Sequence, residues 1–184
     1  TMNQSNTPFT PRIGSRPSGT HDAITDVSGL KVGHRTLTGP SGAAGHPVQT
    51  GVTVIVPPKD PFTNKLPAAS TVFNGFGKSL GLIQLEELCC LETPVALTNT
   101  FSVGTVATAH TRAPIAAHPE IGRDWSTVHP LVLECNHGFL NDIPALAVRA
   151  EPYHAALAAA SANSEHWLVV RGNGMPRFRF HGSL

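Results

Sequence analysis

The sequence predicts a layered fold, α/β to α+β, on three observations. Short β-branched runs alternate with stretches of helical apolar period from about residue 50 to residue 160. The 17 Gly and 16 Pro are spread along the chain, so the elements between them are short. The 184 residues, 40% hydrophobic and 14% charged, supply one domain with a real core and too little for two. No internal repeat is detectable.

Residues 1–20, rich in Pro, Ser, Thr and Gly, read as a flexible arm, with a single folded unit over 21–184. The runs 23–27 and 30–34 alternate apolar and polar residues around Ser28-Gly29, which predicts a hairpin, followed by a loop over 39–47. Gly51-Val52-Thr53-Val54-Ile55-Val56 is β-branched and stops at Pro57-Pro58, the pattern of a strand buried on both faces.

A polar loop over 59–67 leads to an extended apolar run over 68–73 and the turn Asn74-Gly75-Phe76-Gly77. Ser79 then stands where an N-cap is needed, because Leu82, Ile83, Leu85, Leu88 and Leu91 recur at helical spacing while Glu86 and Glu87 face out. Pro94-Val95-Ala96-Leu97-Thr98 predicts a buried strand. Ser102 predicts the cap of a second helix through Val103, Val106, Ala107 and His110, with Pro114 bending or ending it.

Residues 128–135 predict another strand, closed by Asn136-His137-Gly138, and Glu151-Pro152 opens an Ala-rich helix over 153–160. Beyond Trp167-Leu168-Val169-Val170, the pair Phe178 and Phe180 reads as the opening of one more strand.

Charge excludes several function classes. Lys+Arg 13 against Asp+Glu 12 gives a net charge of +1 with no basic run, which argues against nucleic acid and anionic membrane as partners. No apolar stretch approaches the roughly 20 residues that a bilayer span needs. The first twenty residues lack the apolar core of a secretory signal. Thr1 before Met2 suggests numbering that begins inside a longer product. Cys89, Cys90 and Cys135 form neither a CxxC pair nor an even disulfide set, so a reducing, cytoplasmic setting is expected.

Few motifs carry chemistry on residue type alone. Gly77-Lys78-Ser79 imitates the end of a phosphate-binding loop, but the full motif needs Gly where Val72 stands, and the dinucleotide fingerprint needs Gly where Leu80 stands. A tight strand-to-helix turn is the better reading. The 10 histidines include no i, i+4 pair with a carboxylate; His110 and His118 are two turns apart with Pro114 between, so scattered surface histidines rather than a metal site are expected. Cys135 reads as a buried free thiol, not a nucleophile. Glu134 ends an apolar strand before a Gly turn, where a carboxylate can hold a cationic amine, although on these residues alone a solvated Glu at the sheet edge is the better reading.

Six blocks in order then resemble one family. They are Asp22-Ala23-Ile24-Thr25-Asp26-Val27; Thr50-Gly51-Val52-Thr53; Asn74-Gly75-Phe76-Gly77-Lys78-Ser79; Gln84-Leu85-Glu86-Glu87-Leu88; Leu97-Thr98-Asn99-Thr100 with Ser102-Val103-Gly104-Thr105-Val106-Ala107-Thr108; and Glu134-Cys135-Asn136 with Leu140-Asn141-Asp142-Ile143. Together they resemble the P1-family peptidases, the DmpA-like aminopeptidases and β-aminopeptidases, from about residue 20 onward.

The resemblance implies part of an α-β-β-α sandwich similar to N-terminal nucleophile hydrolases. It implies a precursor that cleaves itself before a Ser, whose own α-amine then serves as base for acyl transfer. The expected function is therefore the N-terminal part of a self-processing serine aminopeptidase acting on small peptides, amides or esters, with no metal or cofactor. Glu134 matches the acidic residue that holds the substrate amine. Asn136 falls where many members carry an oxyanion-hole Tyr, and His137 replaces an Asp, which introduces a titratable group near neutral pH. Asn74, Gly75 and Gly77 form the structural turn beside this site.

The family's nucleophile, oxyanion Asn and self-cleavage site have no counterpart in the chain, so no catalytic residue is assigned. Gly182-Ser183 is rejected as a cleavage site, because only two residues would follow it. The missing C-terminal half is then the principal partner, and a homo-oligomer is expected when the protein is complete. Some members carry signal peptides, which leaves a periplasmic location open. Bare sheet edges are expected to lower solubility. Two rival readings are a non-catalytic amine-binding relative and a phosphate-binding α/β domain built on the 74–79 turn.

Overall fold

The longest pair of strands is Lys31–Ser41 (β1) with Pro47–Val56 (β2), antiparallel from Lys31 opposite Val56 to Ser41 opposite Pro47. The structure, a computed structural model, describes residues 15–17, 19–21, 23–41, 45–72 and 75–162. Next along the chain are Leu66–Pro67 (β3), Leu82–Leu88 (α1), Cys90–Leu91 (β4), Val95–Asn99 (β5), Val103–Ala117 (α2), Leu131–Cys135 (β6) and Ala150–Ala158 (α3). The main sheet has the order β1-β2-β5-β6, with β3 and β4 forming a separate small pair. β5 and β6 are parallel, as the helical crossover through α2 allows.

Alternation along the strands decides where the core lies. Val52, Val54, Ala96 and Val132 point to one face, and α2 and α3 cover it with Val103, Val106, Ala107, Ala109, Tyr153 and Ala156. On α2 the buried residues 103, 106, 107 and 110 follow the i, i+3, i+4, i+7 rule, with Ala109 buried beside them, so one stripe of a helix meets one face of a sheet. Gly33 lets α3 approach: a Cβ there would lie 1.9 Å from the carbonyl oxygen of Ala156.

Several sequence expectations are corrected. Residues 24–26 form a 3₁₀ turn instead of a first hairpin strand, and the hairpin lies one element later, between β1 and β2, with 39–47 supplying strand ends as well as the loop. Local alternation does not distinguish these pairings, and register over ten residues does. Residues 68–72 carry no regular structure, and Leu91 belongs to β4, not to the helix. The N-cap of α1 is Gly81, in the left-handed region at φ 98°, and not Ser79; a Cβ on Gly81 would stand 2.5 Å from the oxygen of Pro130.

Ser102 precedes α2 but makes no side-chain cap; Asn99 caps the turn before it, accepting from the Ser102 amide at 3.1 Å. α2 continues one turn past Pro114, which costs a single ladder bond near the helix end. β6 begins at Leu131, so residues 128–130 are outside the strand. The sheet edges are partly covered, by Leu80 bridged to Val132 and by Ser161 bridged to Val32. The readings on Phe73, Asn74, residues 167–170, Phe178, Phe180 and Gly182-Ser183, and most of the 1–20 arm, lie outside the described residues.

Candidate functional site

The parallel pair β5/β6 places its C-terminal ends side by side, the usual position for a ligand in an α/β sheet. In that register Thr98 stands opposite Glu134 and Asn99 opposite Cys135. The chain leaves β5 through Thr100, whose hydroxyl donates to Oε2 of Glu134. The backbone amide of Lys78, in the turn running along the outer edge of β6, donates to Oε1 at 3.0 Å.

Glu134 is half-buried and held by two neutral donors. Its negative charge is unmatched: among the described residues no Lys, Arg or His forms an ion pair with it. The Lys78 ammonium is directed elsewhere, 3.5 Å over the Phe76 ring and donating to the Phe76 carbonyl. An oriented carboxylate with no cation paired to it among the described residues suits a cationic ligand.

Beside it lies a cavity of about 870 Å³, bordered by Glu134, the turn at Gly75 and Gly77, and an apolar wall that includes Leu85, Leu91 and Leu133. Gly75 and Gly77 line the same cavity as Glu134. The same arrangement weighs against a phosphate. The Lys78 amide that would bind one is committed to a carboxylate, which would repel the anion.

Asn136 is exposed just past β6. Its Oδ1 accepts from the Gly138 amide at 3.0 Å, closing a tight turn. His137 is 3% exposed, and burial pushes its pKa down to about 4 despite the opposing charge of Glu134. The expectation that it titrates near neutral pH is therefore corrected: burial keeps it neutral there. Thr50 Oγ1 accepts from Asn99 Nδ2 at 2.9 Å and is hydrogen-bonded to His137 Nε2 at 3.2 Å. Asn141 Oδ1 accepts from the Gln49 amide at 2.8 Å, tying the same loop to β2.

His110 is also buried, with no exposed surface, which corrects the reading of the histidines as surface residues. Its Nε2 donates to the Pro94 carbonyl at 2.9 Å and its Nδ1 accepts from the Tyr153 hydroxyl at 2.6 Å. Burial lowers its pKa to about 4. Burial, and then Glu134, push the Cys135 thiol up to about 11, an unreactive state.

The Thr100 and Lys78 contacts and the Thr50–His137–Asn99 network escape the sequence reading. The signal available is the polar run Thr98-Asn99-Thr100 at the end of an apolar strand. Polar residues at the end of a buried strand must find partners.

Comparison with known proteins identifies the family and the fold. The beta-peptidyl aminopeptidase BapA of Sphingosinicella microcystinivorans is 35% identical over 170 residues, covering 89% of this chain and 41% of the relative. The crystal structure of the PH0078 protein from Pyrococcus horikoshii OT3 superposes with a TM-score of 0.82 at 39% identity, covering 90% of this chain and 47% of that one. The L-aminopeptidase D-Ala-esterase/amidase of Ochrobactrum anthropi, described as a prototype for the serine aminopeptidases and a new variant among the Ntn hydrolase fold, gives 0.76 at 28% identity, covering 90% and 46%. The chain thus spans less than half the length of these relatives and shares their fold. The model of peptidase family S58 matches residues 22–184, and this chain belongs to that family.

Proposed function

We propose that this chain is the N-terminal part of a self-processing serine aminopeptidase that releases N-terminal residues from small peptides, amides or esters. The observation that carries the reading is the Glu134 carboxylate, oriented by Thr100 and Lys78 and unmatched by any cation among the described residues, at the edge of an apolar cavity.

In this reading Glu134 receives the substrate's ammonium group, and that contact fixes which peptide bond is presented for attack. The nucleophilic Ser, its α-amine base and the main oxyanion donors belong to the remaining half of the polypeptide. The short β3/β4 pair, α1 and the 75–79 turn form one wall of the substrate pocket. Asn136 stands two residues beyond Glu134, with its Oδ1 engaged by Gly138; its amide nitrogen is the group available to an oxyanion. Taken alone, the chain is inactive.

The coding sequence past codon 184 tests the reading. A continuing frame, expressed whole, is expected to cleave itself before a Ser and to hydrolyse amino-acid amides, while the 184-residue chain hydrolyses none. An immediate stop in the natural gene overturns the peptidase reading and leaves a non-catalytic amine binder.

A further inference from the structure

The backbone ladder between β2 and β5 stops where Thr53 faces Leu97, before the end of β5 at Asn99. Beyond that point side chains hold the two strands together. Thr98 donates its hydroxyl to the Gly51 carbonyl at 3.2 Å, and Asn99 donates Nδ2 to Thr50 Oγ1 at 2.9 Å. Thr50, Thr98 and Asn99 are all buried, where each polar atom needs a partner. Asn99 is engaged on its other side as well: its Oδ1 accepts from the Ser102 amide at 3.1 Å and caps the turn Thr100–Ser102, which presents the Thr100 hydroxyl to Glu134. Thr50 Oγ1 is shared with His137 Nε2 at 3.2 Å, and the His137 carbonyl accepts from the amides of Leu140 and Asn141 at 2.9 and 3.1 Å. One buried hydroxyl on β2 thus anchors both segments that flank the carboxylate, the turn after β5 and the loop after β6.

Resting on the reading of Glu134 as the amine-holding residue, we propose that Thr50 and Asn99 are positioning residues: acting through the Thr100–Ser102 turn, they set the Thr100 hydroxyl and with it the orientation of the Glu134 carboxylate. A single 3₁₀ turn has no extended ladder of its own, so its placement comes from the groups that cap it. The bond that Thr100 makes to Glu134 is charge-assisted, and its strength falls steeply once the donor is misaligned. Without it, only the Lys78 amide on Oε1 remains to orient the carboxylate. An anchor that served the fold alone would lower stability without passing through Thr100.

The test is a double-mutant cycle in the 184-residue chain, read by titration with leucinamide, an amide that bears a free amine, and by NMR hydrogen exchange of the Ser102 amide. Thr50→Val keeps the shape and removes the hydroxyl; it is expected to weaken leucinamide by about threefold and to speed Ser102 exchange at least about tenfold. Thr50→Ser keeps the hydroxyl and is expected to match wild type in both. In a Thr100→Val background, Thr50→Val is expected to cost no further affinity, because the hydroxyl it positions is already gone. Asn99→Ser is a second variant, which keeps a capping oxygen but not the reach to Thr50, and it is expected to weaken leucinamide in the same way. Unfolding midpoints check that each variant is folded.

Unchanged Ser102 exchange in Thr50→Val overturns the proposal whatever the ligand does. Faster exchange with wild-type affinity in Thr50→Val and Asn99→Ser also overturns it and leaves an anchor of the fold, with the amine reading standing. The same holds if the loss of affinity persists in the Thr100→Val background, since the two residues would then act independently. No binding of leucinamide to the wild-type chain, with Ser102 exchange still responding to Thr50→Val, overturns the amine reading and this proposal with it.

Discussion

Thr100 donates its hydroxyl to Oε2 of Glu134 across the open end of the parallel strands β5 and β6. The two residues come from adjacent strand ends, so their alignment is inherited from the sheet register in which Thr98 faces Glu134. With the Lys78 amide on the other oxygen, the carboxylate has both oxygens engaged and its rotamer fixed before any ligand arrives.

Removing the Thr100 hydroxyl is therefore expected to weaken amine binding. Thr100→Val deletes one donor to a charged acceptor, and a loss of about 1 kcal/mol, or roughly fivefold in Kd, is expected. Thr100→Ser restores the donor and the affinity. Titration with leucinamide reads the effect, and an unfolding midpoint checks that the fold is intact.

Close packing of α3 on β1 makes Gly33 a sensitive position. In Gly33→Ala the new methyl would approach the Ala156 oxygen to 1.9 Å and the Ala160 nitrogen to 2.8 Å, both backbone atoms, so the helix must shift. We expect a loss of at least about 2 kcal/mol in denaturant unfolding. Gly75→Ala, with nothing within 4 Å of the added Cβ, is expected to stay within about 0.5 kcal/mol.

Stability is expected to fall on acidification. His110 and His137 titrate at about 4 when folded against 6.5 when unfolded, so the unfolded chain binds more protons in that interval. Their contribution is complete above about pH 6.5, declines as pH drops, and is lost below about 4, at up to about 3 kcal/mol each. Melting temperatures at pH 7.5, 5.5 and 4.5 measure it; a flat profile would contradict the buried neutral assignment. Tyr153→Phe, which removes the partner of His110 Nδ1, lowers stability at neutral pH by about 1 to 3 kcal/mol.

Thiol reactivity separates the cysteines. Cys89 is exposed, whereas the Cys135 thiol is raised to about 11 and only a trace is thiolate near neutral pH. Iodoacetamide at pH 7.5 is expected to label Cys89 well before Cys135, as peptide mass mapping would show.

The range of each interaction decides how much of the structure is legible in the sequence. β5, β6, α2 and α3 are predicted to within a few residues, because each has its own apolar period and punctuation. The β1/β2 hairpin is misplaced because residues 23–34 alternate as convincingly as true strands, and only the long register from Lys31 to Ser41 makes the pairing decisive. Glu134 draws notice from its place at a strand end, but its residues alone favour a solvated carboxylate, and the amine role comes only from the family resemblance. Its partners are not legible: Lys78 acts through a backbone amide, invisible to side-chain type, and Thr100 through a contact 34 residues away. His110 and His137 are misread for a related reason, since burial is set by the helix and loop that cover them and not by neighbouring residues.

The central claim is that Glu134 holds a free amine, and the most direct measurement is titration of leucinamide into the wild-type chain and into Glu134→Gln. The account predicts saturable binding to wild type that is reduced at least about tenfold in the variant and absent for N-acetyl-leucinamide, since only a charged amine engages a carboxylate in this way. Equal binding to both proteins, or equal binding of the acetylated compound, would contradict it.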